Sequence, residues 1–238
     1  MAFTNQGGMM GGGVCWWHSR YTRNAAYLVQ FRPDLPRETD EKKIKKMVAD
    51  IRKGKKIVVV PGYKNLREFS AVNYKEVQNK LEDWQETDGI LHFQWVAGLS
   101  GSTKVDAGNL ESKMDALYER IQKGEVVYQK LQMPGVVAHA WLVVGMERVS
   151  DGYKLEVLDS NTYRGPDVYK YTIGMDAFRY YGDDFVPYTG KTKEERRLRK
   201  ILNKECKDYL AERTAEVSED NIVAVNDEAN DSEENDDN

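Results

Sequence analysis

The chain has 238 residues, 40% hydrophobic, 31% charged and 11% aromatic, enough for one large domain and too polar for a collagen-like, coiled-coil or membrane class. No apolar run approaches the roughly 18 residues that a membrane span needs. Ten acidic residues and no Lys or Arg fall in 216–238, which leaves +6 on residues 1–215, too weak a balance to argue for a nucleic-acid partner.

The first residues, MAFTNQGGMMGGG, have neither a basic n-region nor an apolar h-region, so no signal peptide is expected. A cytoplasmic protein, or an exported one whose leader has been removed, fits this start. Gly7 to Gly13 reads as a loop with close backbone approaches. It leads into CWWHSRYTRNAAYLVQF, a helix predicted from about Cys15 to Gln30 and stopped before Arg32-Pro33 and Leu35-Pro36. Ile44, Met47, Val48 and Ile51 form one helical stripe, Gly54 is its expected C-cap, and Ile57 to Val60 reads as a strand.

Residues 65–85 predict one or two helices with Leu66, Phe69, Tyr74, Val77, Leu81 and Trp84 inward. GILHFQWVAGLSGS reads as a strand followed by a loop that lacks a phosphate-binding pattern. The helix-then-strand order recurs, with Leu110, Met114, Leu117 and Ile121 on one face and a strand from Val126. Two apolar runs flank Ser150-Asp151-Gly152 in VVAHAWLVVGMERVSDGYKLEVLDSN, which is hairpin chemistry. Short strands are expected over 163–188, then a charged amphipathic helix over about 193–213. Leu198, Ile201, Leu202, Cys206, Tyr209 and Leu210 share its apolar face. The acidic remainder, 216–238, has too little apolar surface to order itself.

The order predicts an α+β fold of one domain, residues 1–215. Its helical part covers about 14–125, its antiparallel sheet about 126–190, and a C-terminal helix about 193–213.

Two cysteines exclude a disulfide framework. Cys206 has an account as a small hydrophobe on a helix. Cys15 follows a glycine loop and opens a helix, where the positive end of the dipole favours an anionic sulfur. His139 heads an apolar strand between two alanines, whose small size leaves room for another element. Asp159 ends the next strand of the same hairpin, so a carboxylate can stand beside an imidazole. A thiolate, an imidazole and a carboxylate are the groups that covalent acyl transfer needs. The backbone N–H of Cys15 and the side-chain amide of Gln6 are candidate oxyanion donors.

Each residue alone has a plainer account: a tolerated loop cysteine, a hydrogen-bonded core histidine. Their combination on these elements is what points to catalysis. His18 makes a Cys-x-x-His spacing with Cys15, but no second pair completes a tetrahedral zinc set, so it reads as a partly exposed helix residue near the cleft. His92 reads as a polar strand residue. Trp16 and Trp17 read as packing, one beneath the helix and one lining the cleft. No metal or cofactor is implied.

GVCWW followed by a helix, then VAHAWLVVGMERVSDGYKLEVLDSN, resembles the papain-like cysteine peptidases. The second segment is closest in pattern to their bacterial bacteriocin-leader-processing and staphopain-like branches. The matching segments cover about residues 5–30 and 118–161. The resemblance implies a papain-like fold, a protein or peptide substrate, Cys15 as nucleophile, His139 as base and acid, Asp159 as the residue orienting it, and Gln6 in the oxyanion hole. Gln6 stands further from Cys15 than the family's glutamine usually does. Papain itself has an asparagine as third member, and Asn161, two residues beyond Asp159, is an alternative orienter. GVCWW also satisfies the Gly-x-Cys-Trp context of transglutaminases, so an acyltransferase with the same triad is a rival. A catalytically inactive binding module on the same fold is a third reading.

Overall fold

Apolar side chains at three- and four-residue spacing bury one long face of the first helix, α1 (Cys15–Leu28), through Trp17, Tyr21, Ala25 and Leu28. The computed structural model describes residues 1–6, 13–91, 104–132, 138–162, 165–180, 182–188 and 193–211. The Gly-rich stretch before Gly13, His92 with the loop after it, and the acidic segment lie outside these residues.

Past Leu28 the chain enters strand β1 (Val29–Arg32), parallel to β2 (Val58–Pro61). The helix predicted to Gln30 therefore ends two residues early. Val29 is β-branched, and the partner that captures it lies far along the chain, where local propensity cannot register it. Between these strands stands α2 (Glu41–Lys53). Asp40 caps it by accepting from the Lys42 and Lys43 N–H groups at 2.7 and 3.1 Å, and Gly54 closes it in the left-handed region at φ 56°. Ile44, Val48 and Ile51 are buried as the stripe predicts.

Two helices follow: α3 (Leu66–Val72), capped by Asn65, and α4 (Tyr74–Leu91). Phe69, Val77, Leu81 and Trp84 point into the core that α1 and α2 share. Tyr74, expected inward, is 43% exposed and meets Phe3 edge-on at 4.9 Å. Helix α4 also runs through Gly89-Ile90-Leu91, the predicted start of a strand. Extending an existing helix fixes one residue per hydrogen bond gained, which favours continuation over a new element.

Gly62, after β2, is one position where glycine is required. Its φ is +77°, its N–H donates to the Arg32 carbonyl at 2.7 Å, and an added Cβ would stand 2.3 Å from Arg37 Cα. Gly62→Ala is expected to destabilise the protein by about 1–3 kcal/mol, read as a lower denaturant midpoint at unchanged slope. An unchanged midpoint refutes this account of the turn.

The second half begins with α5 (Ala107–Gln122), which buries Leu110, Met114 and Leu117. It covers a sheet of β3 (Val127–Gln132), β4 (Ala138–Val149), β5 (Gly152–Asp159), β6 (Asp167–Thr172), β7 (Phe178–Tyr180) and β8 (Asp183–Tyr188). The order is β6-β5-β4-β3-β8-β7 and every pairing is antiparallel. Trp141 is fully buried at its centre, edge-on to Phe185 at 5.5 Å, and its Nε1 donates to Gln129 Oε1 at 3.0 Å. The protein is thus α+β, with helices and an antiparallel sheet in separate parts.

The C-terminal helix, α6 (193–211), closes the described chain. Leu198 is buried with Tyr27 and Leu28, while Ile201 and Leu202 are partly covered. Arg23 pairs with Glu194 at 2.6 Å, Arg199 with Glu125 at 2.6 Å, and Arg120 bridges Glu125 and Glu195. Farther along, the apolar face leaves the body: Tyr209 and Leu210 are 57% and 62% exposed, and Cys206 is exposed rather than packed. The periodicity continues past the point where there is a surface to bury it.

Candidate active site

Cys15 is the first residue of α1, and it packs with Trp16 against Tyr128, Ala140 and Leu142 where the helix meets the sheet. Ala140 is fully buried, and its small side chain lets α1 approach β4. Ser19, one turn into α1, fixes this approach by donating from Oγ to the Ala140 carbonyl at 3.0 Å. The residue before Ala140 is His139.

Register brings the imidazole to its carboxylate. Asp159 stands opposite Trp141 across β4 and β5, so His139, two residues back, is its diagonal neighbour on the same face. His139 Nε2 and Asp159 Oδ1 are 2.7 Å apart, and the two residues are only 6% and 4% exposed. The Cys15 side chain hydrogen-bonds the same imidazole. The three residues expected from the sequence therefore meet.

A turn holds the carboxylate in place. Asp159 Oδ1 also accepts from the Asn161 backbone N–H at 2.8 Å, and the Thr162 N–H donates to the Asp159 carbonyl at 3.2 Å. Asn5 clamps this turn from the N-terminal segment. Its N–H donates to the Ser160 carbonyl at 2.7 Å, and its Nδ2 donates to Ser160 Oγ and Asn161 Oδ1 at 2.9 and 2.8 Å. Asn161 thus supports Asp159 through its backbone, and its side chain is bound to Asn5, not to His139. Asp159 Oδ2 is buried without a hydrogen-bond partner among the described residues. A cavity of about 220 Å³ adjoins it, lined in part by His18, Ser19, Leu142, Leu158 and Ser160.

Gln6, expected in the oxyanion hole, makes side-chain and carbonyl hydrogen bonds to the N-terminal segment and to α4. It is exposed, and its Nε2 donates to Thr4 Oγ1 at 3.3 Å while its carbonyl accepts from Gln78 Nε2 at 2.7 Å. At the start of α1, the Trp17 N–H donates to Gln85 Oε1 at 3.3 Å and the His18 N–H to the Val14 carbonyl at 2.8 Å. His18, expected partly exposed, is buried, and its Nε2 donates to the Phe3 carbonyl at 2.9 Å. Trp17 enters the helical core and donates to Asp88 Oδ2 at 2.9 Å, while Trp16 is buried beside Cys15. Among the described residues, no group of three or more His, Cys, Asp or Glu is placed to hold a metal ion, and no helix is long and apolar enough to cross a membrane.

The two histidines titrate in opposite directions. Burial disfavours a charged His139, but its bonds to Asp159 and Cys15 and their charges outweigh this and raise its pKa to about 9. Burial dominates at His18 and lowers its pKa to about 3. Stability from His139 is full below about pH 6.5, the unfolded value, and is lost as pH rises through about 9. Stability linked to a neutral His18 is present above about pH 6.5 and is lost as pH falls toward 3. The stability gap between the wild type and His139→Ala is therefore expected to narrow from pH 6 to pH 9.5 in denaturant titrations. A gap that stays constant over that range refutes a proton held by this pair.

Comparison of the chain with protein-family models, with curated proteins and with solved structures found no match in any of the three.

Two supports of the site carry no local sequence signal. Asn5 and the turn it clamps are 155 residues apart, and Ser19 bonds a carbonyl 121 residues away. Pairing through backbone carbonyls leaves no pattern in residue types.

Proposed function

We propose that the protein is a thiol hydrolase, a papain-like cysteine peptidase that cleaves peptide, isopeptide or related amide bonds through Cys15, His139 and Asp159. The observation that carries this reading is the buried 2.7 Å His139–Asp159 pair, whose imidazole also bonds the side chain of a cysteine at a helix N-terminus. A cysteine, an imidazole and a carboxylate joined in series are the parts of an activated nucleophile.

In the reaction, His139 takes the thiol proton and becomes imidazolium, with Asp159 fixing the ring and balancing its charge. The sulfur attacks the substrate carbonyl carbon. Charge gathers on the carbonyl oxygen, for which the backbone N–H of Cys15, at the start of α1, is the candidate donor. The imidazolium gives its proton to the leaving amine as the C–N bond breaks, leaving an acyl thioester on Cys15. Water then attacks the thioester, His139 accepts its proton, and the acid departs with Cys15 restored.

The test is alkylation of Cys15 by iodoacetamide against pH, read by peptide mass spectrometry beside His139→Ala. Fast labelling well below pH 8.5 that slows in the variant is the expected result. Labelling with an ordinary thiol profile, indifferent to His139, overturns the proposal. Amide substrates offered with a small primary amine then separate the outcomes: released acid marks a hydrolase, and amine incorporation marks an acyltransferase of the transglutaminase kind.

A further inference from the structure

The first six residues run as a strap from the helical part of the protein to the turn that follows Asp159. On the helical side, the Ala2 N–H donates to Ser70 Oγ on α3 at 2.9 Å, and the Phe3 carbonyl accepts from His18 Nε2 on α1 at 2.9 Å. The Phe3 ring is packed against the helical core and meets Tyr74 of α4 edge-on at 4.9 Å. Gln78 Nε2 on α4 donates to the Gln6 carbonyl at 2.7 Å. Ser70 and Gln78 are buried, so the strap is anchored on partners held out of water.

Between these anchors Asn5, half-buried, turns to the sheet. Its N–H holds the Ser160 carbonyl at 2.7 Å, and its Nδ2 holds Ser160 Oγ and Asn161 Oδ1 at 2.9 and 2.8 Å. Asn5 also meets the chain that leads into α1. A Cβ added at Gly13, two residues before Cys15, would stand 2.9 Å from Asn5 Oδ1 and 3.1 Å from its carbonyl oxygen. One residue thus touches both the approach to the sulfur and the turn of the carboxylate.

The titratable groups that act on His139 are Cys15 at the start of α1 and Asp159 at the end of β5; His18 of α1, close to the pair, is uncharged at neutral pH. Asp159 reaches the imidazole through Oδ1, the oxygen that the Asn161 N–H also holds. A turn free to rock would lengthen the His139–Asp159 bond and weaken the field that favours imidazolium.

We infer that Asn5 is a positioning residue for this site: by tying the Ser160–Asn161 turn to the strap, it keeps Asp159 on His139 and so sustains the imidazole that activates Cys15. This rests on the hydrolase reading above and adds to it a control exerted from the N-terminal segment. Asn5 takes no proton and forms no bond in the reaction; it acts through the turn.

The readout is the rate of iodoacetamide alkylation at Cys15 at about pH 6.5 divided by the rate at about pH 9.5, in the full-length protein. Cys206, exposed on α6, is the internal reference. At the lower pH the thiolate depends on the imidazolium beside it, and at the higher pH far less. Asn5→Ala is expected to lower the ratio about fivefold, the effect of losing two side-chain hydrogen bonds that act at second hand. Ser160→Ala/Asn161→Ala, which removes both side-chain acceptors and keeps Asn5, is expected to give the same loss, and Asn5→Ala added to it no further loss. Asn5→Asp is expected to recover most of the ratio, because its carboxylate accepts from Ser160 Oγ and from the turned Asn161 amide. A merely looser fold would speed labelling at both pH values and leave the ratio near wild type. An unchanged ratio in Asn5→Ala, while Asp159→Ala lowers it, overturns the inference and leaves the hydrolase reading standing. Losses that multiply in the triple variant overturn it as well. A wild-type Cys15 that labels as an ordinary thiol, indifferent to His139, removes both.

Discussion

On the proposed hydrolase reading, replacing Cys15 by alanine is expected to lower amide hydrolysis by about 10⁴-fold or more, because the thioester forms on that sulfur. Stability should change little. The side chain is small and 3% exposed, and trading a sulfur for a hydrogen leaves a void costing about 1 kcal/mol or less. The fold positions the sulfur through the backbone of α1 and the Ser19–Ala140 bond, both of which survive the change. Cys206→Ala is the control. Its side chain is exposed, so both activity and denaturant midpoint should stay at wild-type values. Turnover by Cys15→Ala comparable to the wild type would end the assignment of the nucleophile.

Removing the Asp159 carboxylate is the second large effect. On the same proposed reading, Asp159→Ala is expected to reduce kcat/KM by about 10²–10³-fold, since His139 loses both the partner that orients its ring and the charge that stabilises its protonated form. The alkaline limb of the pH–rate profile, set by the proton His139 holds to about pH 9, should move to lower pH. Asp159→Asn should fall between this variant and the wild type. An amide oxygen can still accept from His139 and from the Asn161 N–H, but it carries no charge. Asn161→Ala is expected to stay within about threefold of wild type, because its backbone makes the bond to Asp159 and its side-chain Oδ1 accepts from Asn5. If Asn161→Ala is as damaging as Asp159→Ala with an unchanged pH limb, the carboxylate does not orient His139.

Local patterns made much of the molecule legible. The stripe of Ile44, Val48 and Ile51 with Asp40 before it and Gly54 after it contains a whole helix, cap to cap, within consecutive residues. Ser150-Asp151-Gly152 between apolar runs did the same for the β4–β5 hairpin, and with it the proximity of His139 to Asp159, because a tight turn sets the register of both strands. Cys15 stood out because a thiol after glycines and at a helix start has no packing account in the sequence itself.

Non-local contacts are different. The pairing of β1 with β2, the exposure of Cys206 and Tyr209 and the burial of His18 each depend on a surface supplied by other segments of the chain. Periodicity says which side of a helix is apolar, but not where the body beneath it ends, and α6 outruns its support after Leu202. Whether Cys15 and His139 meet depended on how α1 docks on the sheet. That was decided by Ala140 leaving room and by Ser19 bonding its carbonyl. So the sequence by itself determined the helices, the hairpin and the chemical groups, because those rest on neighbours within a few residues. Only the tertiary structure decided that α1 brings the thiol to the strand that carries the imidazole, because that rests on packing between segments more than 100 residues apart.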